Sequence, residues 1–244
     1  MKFEILVKKI SAFVAGVVVY LLIAGIYLSS KGFEMDENGN ISLVSAAAAQ
    51  DNKPVTQMLD SKTNVIFPQK PYLGKEDAPI TLYEYSSLGC YHCADFHLNT
   101  LPKLQKEFID TGKVKLVFAD FPIDRKSMQA ALMAHCMPTE KKYFDFLTLL
   151  FKKQREWGLS HNSEKLFKQY ALLNGITAEQ ADACLNDDNE AKEILNIRQQ
   201  AMDELKLRGT PSFVISAGGK REVLQGAPSY EAFKELLQEK LAAQ

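Results

Sequence analysis

The longest hydrophobic run lies near the start of the chain. From Ile10 to Ser30, ISAFVAGVVVYLLIAGIYLSS, 21 residues pass without a charge, about the length a helix needs to cross the hydrocarbon core of a bilayer. Lys2, Lys8 and Lys9 precede it against Glu4 alone, while Lys31, Glu34, Asp36 and Glu37 follow it. The positive-inside rule keeps residues 1–9 in the cytoplasm and exports everything past Ser30. A cleaved signal peptide competes with this uncleaved, single-pass anchor. Ala46–Ala49 supplies small residues, but they stand about 16 residues beyond the apolar run, and a cleavage site normally follows closely. Residues 10–30 are therefore expected to be a transmembrane helix, and either alternative puts the rest of the chain outside the cytoplasm. Residues 31–62 are polar, small and weakly periodic, as in a stalk or linker.

Past residue 63 the pattern becomes that of a folded domain, expected to reach residue 244. Ile80–Tyr85 alternates in strand fashion and runs into Ser-Ser-Leu-Gly-Cys. A helical stretch follows Cys93 in which Leu101, Leu104 and Phe108 share a face, with Pro102 placed to kink it. Gly112 stops that helix, and Val114–Phe118 alternates again, giving a βαβ unit with a right-handed crossover. Residues 125–207 are helical throughout: Met128, Leu132 and Cys136 recur four apart, Phe144, Leu147 and Phe151 form a second stripe, and Thr177 with Gln180 makes a capping box. Phe213–Ile215 and Glu222–Leu224 then form a hairpin across Gly218-Gly219, and a last helix starts near Ser229 with Phe233, Leu236, Leu237 and Leu241 facing inward. The order is β-α-β, helical insertion, β-β-α.

Charge and composition narrow the function classes. Lys plus Arg (29) nearly cancels Asp plus Glu (30), and no basic block is interleaved with aromatics, so a nucleic-acid surface is not expected. Four cysteines are present. Export changes their meaning, because an oxidising compartment favours disulfides where the cytosol favours thiols and metals.

The chemistry sits in Cys90-Tyr91-His92-Cys93, between a strand and a helix. Cys90 at the start of a helix meets free N–H groups and the positive end of the dipole, which favour a thiolate. His92, between the cysteines, can donate a hydrogen bond or a positive charge to the same sulfur. Cys93, one turn in, is the buried resolving thiol. Half a zinc site is the rival reading; His97 follows Cys93 by four residues, but neither a second C-x-x-C nor an H-x-x-x-H is present to complete it. A structural disulfide without chemistry is the other rival. His97 and His135 have no evident partner and read as packing or surface residues, Trp157 as core, and Lys152 and Lys153 as a solvated helix face.

LGCYHCADFH at a strand–helix junction, with Gly209-Thr210-Pro211 ahead of the last strands, resembles the DsbA family of thioredoxin-fold oxidoreductases. The likeness covers about residues 63–244 and is nearest to the alphaproteobacterial type, whose insertion carries an extra cysteine pair. It implies an α/β thioredoxin fold with an inserted helical subdomain, and thiol–disulfide exchange at Cys90 and Cys93 that needs no cofactor and no metal. It further implies that Pro211 is cis and faces the sulfurs, that Thr210 and Tyr91 contact a bound peptide, and that Glu84 is a buried acid able to move the Cys93 proton. Cys136 and Cys184, in the insertion, would form a structural disulfide, although two free core thiols are the alternative. Tyr-His replaces the familiar Pro-His, and Thr210 stands where Val is familiar, as it also does in isomerase relatives. Three functions follow for comparison. One is a periplasmic, inner-membrane-anchored oxidase that acts on reduced exported proteins and is recycled by a membrane reoxidant of the DsbB kind. The second is an isomerase or reductase of the same fold. The third, a non-catalytic chaperone domain, is disfavoured by the intact C-x-x-C.

Overall fold

The computed structural model describes residues 33–35, 41–43, 56–59, 65–69 and 71–243. The apolar run 10–30 lies outside the described residues; among the described residues no helix is long and apolar enough to cross a membrane. The described part of residues 1–52 is one antiparallel pair, β1 (Phe33–Met35) with β2 (Ile41–Leu43).

The remainder is built on a six-stranded sheet. Its strands are β3 (Thr56–Met58), β4 (Tyr72–Leu73), β5 (Ile80–Ser86), β6 (Val114–Asp120), β7 (Ser212–Ala217) and β8 (Lys220–Gln225), in the order β3-β8-β7-β5-β6-β4. Segment 31–62, expected as a stalk, thus holds three short strands, and β3 extends the sheet by pairing with β8. Three-residue strands give little alternation to detect, and β3 is held by backbone pairing to an edge that side-chain pattern does not announce. The two-residue β4 escapes the sequence pattern for the same reason.

β5 lies at the centre, parallel to β6 and antiparallel to β7. Alternation sends Ile80, Leu82 and Glu84 to one face and Tyr83 and Tyr85 to the other. The first face is covered by α1 (Tyr91–Ile109), by the helical insertion and by the last helix, α8 (Tyr230–Ala242). Phe96 of α1, Phe213 of β7 and Phe233 of α8 form an aromatic knot with centroids 4.8, 5.5 and 4.9 Å apart. The second face packs on Ala201, Leu205 and Leu207, at and after the end of α7 (Asp188–Asp203).

α1 is continuous but changes register: α-helical over Tyr91–Asp95, π-helical over Phe96–Thr100, α-helical over Leu101–Leu104 and π-helical over Gln105–Ile109. Pro102 has no N–H to give the preceding turn, and the wider π turn ahead of it accommodates that gap. The insertion comprises α2 (Arg125–His135), α3 (Glu140–Lys152), α4 (Gln154–Leu159), α5 (Ser163–Leu173), α6 (Ala178–Leu185) and α7. Asp124 with Ser127 and Thr177 with Gln180 form capping boxes at α2 and α6. Trp157 is buried at the centre, its indole N–H donating to the Leu150 carbonyl at 2.8 Å and its ring 5.2 Å from Phe167. Cys136 and Cys184 are joined by a disulfide with Cα atoms 6.1 Å apart. Gly218 and Gly219, at φ 55° and 74°, make the β7–β8 turn, a conformation other residues adopt at a cost.

Candidate active site

Ser87 to Cys90 form the link between β5 and α1, and three sets of contacts fix its path. Cys90 occupies the N-cap with extended backbone (φ −89°, ψ 125°), its N–H donating to the Ser87 carbonyl at 3.0 Å and its carbonyl accepting from Ala94 N–H at 3.1 Å. A Cβ on Gly89 would approach the Ser127 Cβ to 3.2 Å, so the glycine lets the cap of α2 come close. Gln154, at the start of α4, donates from Nε2 to the carbonyls of Leu88 (2.6 Å) and Cys90 (2.9 Å). Sequence reasoning missed Gln154, because in a Lys-Lys-Gln-Arg run it looks like one more solvated position.

The two sulfurs, both free thiols, sit in opposite environments. Cys90 is partly exposed, and its Sγ–H donates to the Thr210 carbonyl at 3.2 Å. A hydrogen bond from the Cys93 side chain, joined by the Thr210 hydroxyl and the N–H groups of Cys93 and His92, outweighs burial and draws the Cys90 thiol down to about 5. Cys93 is fully buried, receiving the Ser87 N–H at 3.5 Å. Burial, then the neighbouring Cys90 sulfur, push its thiol far above the usual range. The Thr210–Pro211 bond is cis and leads directly into β7.

The dipeptide between the cysteines faces outward. Tyr91 is 72% exposed, and the exposed His92 ring stands edge-on to it at 5.6 Å. His92 was expected to act on Cys90 through its ring; the side chain is exposed, and it is the His92 backbone N–H, at the first helical turn, that contributes to lowering the Cys90 thiol. His97 does not join the cysteines. It is buried, with Nε2 3.3 Å from the Thr148 hydroxyl and its ring 4.7 Å from Phe151, and burial holds it neutral with a pKa near 4.

Glu84 lies on the same sheet face as Cys93, fully buried, with neither carboxyl oxygen hydrogen-bonded among the described residues. Burial, reinforced by Asp120 and only partly offset by the nearby Ser86 hydroxyl, pushes it up to about 8. His135, expected to lack a partner, has two: Asp120 Oδ2 lies 2.7 Å from Nε2 and Glu190 Oε1 lies 2.9 Å from Nδ1. These acids come from β6 and α7, 15 residues before and 55 after His135, a distance no local pattern spans.

A family model described as Thioredoxin matches residues 67–239. Among solved structures, alpha-DsbA1 of Wolbachia pipientis is similar with a TM-score of 0.67 and 29% identity, over 74% of this chain and 94% of that one. BdbD of Bacillus subtilis, oxidised, is similar with a TM-score of 0.63 and 25% identity, over 78% and 100%. The Bacillus subtilis protein named disulfide bond formation protein D is 26% identical over 186 residues, 70% of this chain and 77% of its own. A Rickettsia bellii relative is 30% identical over 144 residues, and the match spans only 56% of that protein's length. With a helix-capping C-x-x-C beside a cis proline and a family match over most of its length, the chain belongs to the thioredoxin family and is similar, within it, to DsbA-type proteins.

Proposed function

We propose that this protein is an extracytoplasmic disulfide oxidase, anchored in the inner membrane by residues 10–30, that donates the Cys90–Cys93 disulfide to reduced exported proteins. The observation that carries this reading is the asymmetry of the sulfurs: a partly exposed Cys90 drawn down to about 5 beside a fully buried Cys93. Stabilising a thiolate in the reduced form makes the disulfide a stronger oxidant, by roughly 30 mV per pKa unit. DsbA is itself the familiar case of a low-pKa cysteine with an oxidising couple, so the direction is a family trait.

A substrate thiolate attacks Cys90 Sγ, forming a mixed disulfide as the Cys90–Cys93 bond breaks and its electron pair leaves on Cys93. A second substrate thiolate then attacks the substrate sulfur of that mixed disulfide. Cys90 departs as a stable thiolate, and the two electrons stay with the reduced enzyme. Thr210, two residues ahead of β7 with its carbonyl beside Cys90, and the exposed Tyr91 would hold the substrate chain. Glu84 would supply the proton that the displaced Cys93 takes. A membrane reoxidant of the DsbB kind would restore the disulfide.

The oxidised protein is expected to form disulfides in a reduced, unfolded substrate faster than it reshuffles a scrambled one, and Cys93→Ser to accumulate mixed disulfides through Cys90. Faster reshuffling would favour the isomerase instead, the reading that Thr210 before the cis proline supports. Protease added outside spheroplasts should digest the domain and leave a membrane-bound N-terminal fragment; full protection would remove the export reading.

A further inference from the structure

The core behind Cys93 holds more charge than exchange at Cys90 uses. The parallel register sets Ser86 of β5 opposite Asp120 of β6 and Glu84 opposite Phe118, so the two acids are diagonal neighbours on one buried face. Asp120 is 5% exposed and bonds His135, which bonds Glu190 in turn. A neutral imidazole carries one donor and one acceptor, so a ring with a carboxylate on each nitrogen is satisfied as the imidazolium. The helices favour the same charges, with His135 in the last turn of α2 and Glu190 in the first turn of α7. Tyr143 of α3 closes the group, its ring edge-on to His135 at 5.3 Å and its hydroxyl buried without a bonded partner among the described residues. The series ends at solvent: the side chains of His135 and Glu190 remain 24% and 30% exposed in a groove of ≈ 1470 Å³ that Glu140, Lys192 and Arg198 also line.

We propose that Asp120, His135 and Glu190 are positioning residues for Glu84, the acid behind the buried thiol: the ion-paired His135 cation offsets the Asp120 charge that Glu84 faces, and so sets the pH range in which Glu84 exchanges a proton with Cys93. The inference rests on the reading that Cys93 is displaced during exchange and that Glu84 handles its proton. When the Cys90–Cys93 bond opens, the pair of electrons left on Cys93 Sγ takes a proton from neutral Glu84, since both groups are fully buried from solvent. The groups sharing the buried face with Glu84 are Cys93 from α1, Asp120 from β6 and Tyr143 from α3. Those facing His135 are Asp120, Glu190 and Tyr143, with Asp187 beyond Glu190. Burial draws His135 down, but Asp120 and then Glu190 outweigh it and push it up to about 10, which keeps the cation in place while Glu84 titrates near 8.

The test is the pH profile of single-turnover reduction of the oxidised full-length protein by dithiothreitol, quenched by alkylation, beside a titration of the Cys90 thiolate by its ultraviolet absorbance. The wild-type profile should bend near 8. Asp120→Asn should move the bend to lower pH and His135→Gln to higher pH, each by about one pH unit, with the Cys90 midpoint unchanged. Glu190→Gln removes a second negative charge, beyond the cation, and should follow Asp120→Asn in direction with a smaller shift; His135→Asn serves if His135→Gln does not fold. Superimposable profiles, or shifts of Asp120→Asn and His135→Gln in the same direction, would overturn this role, since a merely structural role gives no opposed pair. Glu84→Gln should erase the bend. A bend that survives in Glu84→Gln removes the role of Glu84 and this inference with it, while exchange at Cys90 stands on its own mixed disulfides.

Discussion

Two residues of the site titrate against the ordinary trend, and each leaves a mark on stability. Cys90 is drawn down to about 5 in the fold, whereas an unfolded thiol titrates near 8.5. A depressed acid stabilises the fold fully above the unfolded value and loses that contribution as pH falls through the folded one. The dithiol protein should therefore melt higher than the disulfide form at neutral pH, and the gap should close as the pH is lowered through about 5; calorimetry on both redox forms checks it, and a disulfide form that melts higher would contradict it. Glu84 has the opposite sign. Burial raises its pKa from 4.5 to about 8, so the unfolded chain ionises first and the fold loses about 1.36 kcal/mol per pH unit across that window. Compared in the oxidised form, where Cys90 does not titrate, Glu84→Gln should gain on the wild type steadily as pH rises from 4.5 to about 8 and then level off. A constant difference would show that Glu84 is ionised in the fold.

At the scale of elements, what was legible in the sequence is what short-range pattern controls. The alternation of Ile80–Tyr85, the stripe Leu101, Leu104 and Phe108, the capping box at Thr177 and the Gly218-Gly219 turn each report a local conformation, and each element stands where its pattern put it. The strands run further than their hydrophobic alternation, because the ladder also includes the polar residues Ser86, Asp120 and Lys220. The cysteine pair of the site was equally legible, since its meaning lies in the spacing and in the strand–helix junction. The partners of Glu84 and His135 were not, because they arrive from β6 and α7 through tertiary packing. Gln154 is the sharpest case, an insertion residue whose amide holds two carbonyls of the Cys90 loop at 2.6 and 2.9 Å. Gln154→Ala would leave those carbonyls without that donor, at a cost of about 1 kcal/mol. It should also loosen the N-cap, detectable as faster hydrogen exchange at Tyr91 to Ala94; unchanged exchange would make Gln154 a passive contact.

For the whole molecule, the two cysteine pairs are bridges of opposite consequence. Cys136 and Cys184 are 48 residues apart and their disulfide encloses α3, α4, α5 and most of α6. Closing a loop of that length restricts the unfolded chain and stabilises the fold by about 4 kcal/mol on the chain-entropy model. The Cys90–Cys93 bridge closes almost no loop, and forming it removes a thiolate that the helix start and its neighbours stabilise. Stepwise reduction should therefore move stability in two directions. The accessible Cys90–Cys93 bond should open first and raise the denaturation midpoint, and stronger reductant should then open Cys136–Cys184 and lower it. Cys136→Ser with Cys184→Ser should show the loss at once, with a lower urea midpoint at every redox poise, while keeping the rise that reduction of Cys90–Cys93 produces. Peptide mapping after each step, with alkylation to mark free thiols, identifies which bond has opened. A midpoint that only falls as reductant is added would mean that the Cys90–Cys93 disulfide is itself a staple, and the assignment of this protein as an oxidase would fail with it.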